Sequence, residues 1–119
     1  MYWEKKGLIY STDGTRNWSR SHAQVPVVDC VDDDTWRIYY STRNGDGKSL
    51  ISYIEVDSKD PAKILYIHNE PVMDFGDTGT FDEDGLMPSF ILNVGAKKYL
   101  YYIEKQCIIN MSANLGLPD

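Results

Sequence analysis

The chain has 119 residues, enough for one domain of ordinary size, and its 42% apolar content can furnish a core. A formal net charge of −6 excludes the clustered basic footprint of a nucleic-acid-binding protein; it suits clefts for sugars, amines or metals without choosing among them. No run approaches the roughly 20 apolar residues of a spanning helix, and MYWEKKGLIYS lacks the apolar core of a signal peptide. The expectation is a soluble, cytoplasmic protein with neither nucleic acid nor membrane as partner.

In chain order, Gly7 to Tyr10 reads as a short strand, and Ser11-Thr12-Asp13-Gly14 as a turn. The polar segment from Thr15 to Ser21 reads as a loop carrying Trp18. Ser21 to Val31 is β-rich, and Pro26 confines it to an irregular or edge-like strand start. Asp32-Asp33-Asp34 reads as a solvated hairpin turn; it lacks the alternating ligands and closing Glu of a calcium loop. From Thr35 to Thr42 the chain alternates, with Trp36, Ile38 and Tyr40 on one face and Arg37, Tyr39 and Ser41 on the other. Asn44-Gly45 signals a hairpin within Arg43 to Lys48. Ser49 to Val56 is a third strand, Asp57 to Pro61 a break, and Lys63 to Ile67 a fourth strand. Met87 to Val94, Lys98 to Glu104 and Cys107 to Met111 begin a second such group, and no segment has helical periodicity. Cys30 and Cys107 sit in apolar surroundings and read as buried free thiols rather than a disulfide.

The second group repeats the first. Pro26 begins PVVDCVDDDTWRIYYS and Pro88 begins PSFILNVGAKKYLYYI, and the pairs Tyr39-Tyr40 and Tyr101-Tyr102 lie at equal offsets from those prolines with no gap needed. A chain built twice on one plan is a repeat protein, and repeated four-stranded meanders are the layout of propeller blades. The fold class is therefore all-β: antiparallel meanders forming about two blades, one over residues 22–67 and one from residue 80 to 119, with a small β-sandwich as the alternative.

Three pieces carry a resemblance: SHAQVP, RIYYSTR and GTFDEDGLMPS, at these spacings. Together they resemble the five-bladed β-propeller glycosidase-like proteins related to glycoside hydrolase families 43, 32 and 130, including predicted glycosidases of bacterial polysaccharide gene clusters. The resemblance covers Trp3 to Ile103. It implies a carbohydrate site on the propeller axis and places this chain in the N-terminal part of a propeller that needs roughly 300 residues at about 60 per blade. The chain departs from the phosphorylase branch of the family. That branch follows its Gly-Val with Glu-Asp-Pro-Arg, whereas this sequence has Gly85-Leu86-Met87-Pro88-Ser89, without the acidic motif.

In a blade, the loop before strand one and the loop between strands two and three share a face. That rule gathers His22, Gln24, Arg43 and Asp46 from the first blade, and Asp82, Glu83, Asp84 and Glu104 from the second. Glycoside cleavage needs two carboxyl groups across the scissile bond, one protonated through burial or a like charge. Asp82, after Phe81, is the candidate catalytic carboxyl; the alternative is that Asp82 or Asp84 caps the turn before Gly85. His22, Gln24, Arg43, Asp84 and Trp18 are candidate substrate-binding residues: His22 for a sugar hydroxyl, Arg43 for a carboxylate or phosphate, and Trp18 for stacking on a sugar ring. Arg37 is expected to pair with an acid. Two histidines without coordinated spacing make no metal site, and no Gly-rich phosphate loop or Cys-x-x-Cys is present, so no cofactor or metal is expected. The expected partner is a glycan. The isolated chain, with open sheet edges and an apolar flank, is expected to self-associate.

Overall fold

A computed structural model of the chain describes residues 4, 5, 7–72, 85–104 and 109–114. It is all-β. Strands β1 (Ser21–Cys30), β2 (Thr35–Arg43), β3 (Ser49–Asp57) and β4 (Asp60–Ile67) form one antiparallel sheet in sequence order. Strands β5 (Leu86–Val94), β6 (Lys97–Glu104) and β7 (Ile109–Asn114) form a second antiparallel sheet, also in sequence order. Both are meanders, as the repeat requires. Residues 7–10 join no ladder, unlike the short strand expected there.

The prolines sit where a missing N–H does least harm. Pro26 lies in β1 and Pro61 in β4, the two edges of the first sheet, and Pro88 lies in β5, an edge of the second. The break expected from Asp57 to Pro61 is shorter than that: β4 begins at Asp60, because Ser58 and Lys59 alone make the turn. The acidic triplet is a turn, as expected. Asp34 pairs with Lys59 at 2.7 Å, Ser58 N donates to Asp34 O, and Ser58 Oγ donates to Asp33 O, which ties the β1–β2 turn to the β3–β4 turn. The β2–β3 hairpin is not the two-residue Asn-Gly turn. Asn44 Oδ1 accepts from the backbone N–H of Asp46 and of Lys48, and the left-handed residue is Gly47, at φ 76°.

The alternation read in β2 separates two cores. Trp36, Ile38 and Tyr40 pack with Ile54, Val56 and the N-terminal Ile9 and Tyr10. Tyr39, on the opposite face, packs with Ile51 against Leu86, Leu100 and Tyr102 of the second sheet. The two sheets therefore stack face to face, and the central strands repeat their orientation. Tyr102 holds the place in the second repeat that Tyr40 holds in the first; its face packs on the first sheet, while the Tyr40 face of the first sheet points away from the second. The opposite face of the second sheet carries exposed Phe90, Leu92 and Val94.

A buried ionic contact crosses between the sheets. The Asp29 carboxylate, 1% exposed, accepts from Lys98 Nζ at 2.7 Å and from Asn93 Nδ2 at 3.1 Å. Next to it on the same face, Arg37 pairs with Glu55 at 2.8 Å and lies over the Tyr53 ring at 4.6 Å. Arg37 thus has the acidic partner expected of it.

Cys30 corrects the sequence reading: it is a free thiol but exposed, because it lies at the end of edge strand β1. Cys107 lies outside the described residues.

Candidate functional site

One end of the stacked sheets collects the chain's rim residues, and backbone pairing puts them there. Ser21 at the start of β1 is the register partner of Arg43 at the end of β2, and Arg43 is the partner of Ser49 at the start of β3. Ser49 forms an isolated parallel bridge with Gly85, immediately before β5. The entrance of the second sheet thus sits on the β2–β3 end of the first. Gly85 makes this possible. Its φ is 121°, and a Cβ there would lie 2.6 Å from Ser49 O and 2.7 Å from Ser49 Cα, so only a glycine allows the backbones to meet.

Residues directly opposite on neighbouring strands share a face. Gln24 pairs with Ser41, two positions along β2 from Arg43. Gln24, Ser41, Arg43 and Ser49 consequently form a polar corner on the face that meets the second sheet. Ser41 and Ser49 are fully buried. Ser41 Oγ donates to Leu86 O at 3.1 Å, which fastens the corner to β5. Ser49 Oγ and Arg43 Nε are buried with no hydrogen-bond partner among the described residues. Most buried polar groups are paired, so two adjacent orphans mark this corner out from the ordinary interior.

On the other face of the same end, buried Ser19 and Thr42 share a hydroxyl–hydroxyl bond of 2.8 Å; Thr42 Oγ1 also donates to Ser21 O. This contact tethers the Arg16–Ser19 turn, and with it Trp18, to the sheet. Trp18 is half-buried beneath the Arg16 guanidinium, 5.7 Å from its ring centroid. It is at the predicted end of the molecule but outside the polar corner.

The start of β1 is backbone-strained. His22 (φ 68°) and Val25 (φ 54°) are left-handed, and the register shifts on either side of Gln24. For β-branched Val25 this is a genuine outlier, at a cost of about 1–3 kcal/mol. These two bulges within SHAQVP turn Ala23 toward the Tyr40 core and Gln24 toward the corner. His22 is exposed, with Nδ1 2.8 Å from Ser21 Oγ.

The structure therefore places Gln24 and Arg43 at the same end of the β1–β2 pair, with His22 exposed beside Ser21 and Trp18 on the opposite face. Asp46 is exposed in the hairpin turn. Asp82, Glu83 and Asp84 lie outside the described residues. Sequence reasoning missed Ser41 and Ser49. Their signal was present: each is a small hydroxyl residue at a strand end, on a face otherwise filled by Tyr39 and Ile51. An apolar cavity of about 220 Å³ lies under Leu8, Ile9 and Tyr10 on the Tyr40 face. It holds none of the predicted site residues and is the gap between the N-terminal segment and the sheet. Among the described residues, no three His, Cys, Asp or Glu side chains gather as a metal site would require.

No family model and no solved structure matches the chain. The chain is 40% identical over 102 residues to uncharacterized proteins of two Mycobacterium tuberculosis strains. Each match covers 86% of this chain and 34% of the relative, so the chain spans about a third of the length of the curated relatives it matches.

Proposed function

We propose that this chain contributes two blades to a carbohydrate-active β-propeller of the glycosidase-like type, and that the glycan is engaged at the Arg43 end. The observation that carries the reading is the Ser49–Gly85 bridge, which seats the start of the second sheet on the rim of the first. Residues at the ends of strands far apart in sequence then face one space, the arrangement a polymeric substrate needs. The like-facing stack of the two central strands supports the propeller geometry: each sheet offers one face backward and the other forward, so the same contact can be repeated around a ring. In this reading Asp82, three residues before Gly85, supplies a carboxyl at the rim, and Gln24, Arg43, His22, Asp84 and Trp18 bind sugar. The second reading is a carbohydrate-binding or polysaccharide-assembly propeller without turnover. It is favoured by Gly85-Leu86-Met87-Pro88-Ser89, which lacks the acidic motif that the phosphorylase branch carries after its Gly-Val.

The test is a glycan array and a hydrolysis screen on a full-length protein carrying this segment, with the Asp82→Asn variant in parallel. Cleavage that falls by about 10²–10⁴-fold in Asp82→Asn supports the catalytic reading. Glycan binding without turnover selects the second reading. Cleavage unchanged in Asp82→Asn removes Asp82 from the chemistry. The absence of any glycan bound or cleaved refutes both readings.

A further inference from the structure

We propose that the corner formed by Arg43 and Ser49 is a subsite for an oxyanion carried by the sugar, a carboxylate or a phosphate ester; the proposal rests on the carbohydrate reading above. The argument begins with two arginines on one strand. Arg37 and Arg43 lie on the same face of β2. Opposite Arg37, β3 supplies Glu55, and the pair closes at 2.8 Å. Opposite Arg43, β3 supplies Ser49, and no described carboxylate pairs with the Arg43 guanidinium. Strand β3 thus sets a carboxylate opposite one arginine and a buried hydroxyl opposite the other.

The orphaned atoms are both able to donate. Arg43 Nε–H and Ser49 Oγ–H sit on adjacent strands, buried and without partners among the described residues. Arg43 as a residue is only half-buried. A guanidinium edge with a neighbouring hydroxyl is the donor set that an incoming carboxylate or phosphate satisfies, by a charge-assisted fork plus a third hydrogen bond. A neutral hydroxyl would answer only part of it.

Although the chain is acidic overall, Arg20, Arg43 and Lys48 lie near this corner. Arg20 N donates to Arg43 O at 2.7 Å, and Lys48 O accepts from Asn44 N in the adjoining turn, so these residues flank the corner. Among the described acids, Asp13 accepts from Thr15 and Asp46 is exposed in the turn, while Asp82, Glu83 and Asp84 lie outside the described residues.

The test uses a full-length protein carrying this segment and four probes: an oligogalacturonate, the same oligomer with its carboxyls methyl-esterified, a sugar phosphate and inorganic phosphate. Affinities are measured by calorimetry at two salt concentrations. Variants are Arg43→Gln, Arg43→Lys and Ser49→Ala, each checked for folding by near-ultraviolet dichroism. The expected result is that the oligogalacturonate or the sugar phosphate binds at least about tenfold tighter than the esterified oligomer, in a salt-dependent manner. Arg43→Gln should abolish that preference, Arg43→Lys should restore only part of it, and Ser49→Ala should weaken binding without lowering the melting temperature. Whichever acidic probe binds more tightly identifies the source of the anion. Equal binding of acidic and esterified oligomers, indifferent to Arg43→Gln, overturns the subsite and leaves the carbohydrate reading standing. Binding of inorganic phosphate through Arg43 with no sugar bound keeps the anion site and overturns the carbohydrate reading. No Arg43-dependent binding of any anion overturns the subsite outright.

Discussion

Gly85→Ala should damage this protein far more than an alanine at an ordinary turn glycine. At φ 121° an L-residue is strained by about 1–3 kcal/mol before any contact is considered. The added Cβ would also meet Ser49 O at 2.6 Å and Ser49 Cα at 2.7 Å. These are backbone atoms, so no rotamer relieves the overlap and the two chains must separate. Separation loses the Ser49–Gly85 bridge and pulls Leu86 O from Ser41 Oγ, a buried bond whose loss costs about 1 kcal/mol. The expected total is about 3 kcal/mol, or a fall in melting temperature of roughly 10 °C for a chain of this size. Gly95 is the internal control. It is also left-handed, at φ 60°, but nothing lies within 4 Å of its added Cβ, so Gly95→Ala should cost only about 1 kcal/mol. Urea titrations followed by near-ultraviolet dichroism of the tyrosines and tryptophans would measure both variants. If Gly85→Ala proved no less stable than Gly95→Ala, the close approach of the two sheets at the rim, and the site built on it, would be refuted.

Asp29→Ala should cost about 2–3 kcal/mol in the same assay, below the range for fully buried pairs because Lys98 keeps some contact with water; in Lys98→Met the loss should be shared rather than additive, and full additivity in a double-mutant cycle would deny the contact. Tyr39 and Tyr40 should resist ionisation in a spectrophotometric titration. Burial pushes both phenols up, and the neighbouring Tyr10 phenol adds to the shift at Tyr40. The stability they protect is whole below the ordinary phenol value of about 10 and is lost as pH rises through the raised one, so their ionisation should coincide with alkaline unfolding. Free ionisation of every tyrosine with the fold intact would contradict this. The 119-residue chain should self-associate through Phe90, Leu92 and Val94, which stand exposed on the face of the second sheet that carries no further sheet among the described residues. Sedimentation should show concentration-dependent species that Leu92→Lys disperses, and a monodisperse wild-type monomer would count against it.

Local patterns carried the strands. Period-two alternation in WRIYYST announced the two faces of β2, and those faces became two separate cores. The equal spacing from Pro26 and Pro88 to their Tyr-Tyr pairs announced a second sheet of like design, and Pro26 announced the irregular edge strand that β1 proved to be. These signals are legible because alternation and proline chemistry depend only on near neighbours in the chain.

What needed the tertiary structure was each pairing across the two sheets. Nothing near Asp29 in sequence says that Lys98, 69 residues away, neutralises it. Nothing near Cys30 says that it is exposed rather than buried, since its exposure depends on β1 being an edge. Nothing near Gly47 says that it, and not Gly45, takes the left-handed place in the hairpin, because the Asn44 side chain decides where that turn closes. The corner shows the same division. Arg43 stood out in the sequence as a strand-end arginine, whereas Ser49 read as an ordinary strand start. Only the stacking of the sheets makes Ser49 a buried donor beside Arg43. Burial is a property of what folds over a residue, and here that cover comes from Gly85, which belongs to the far half of the chain.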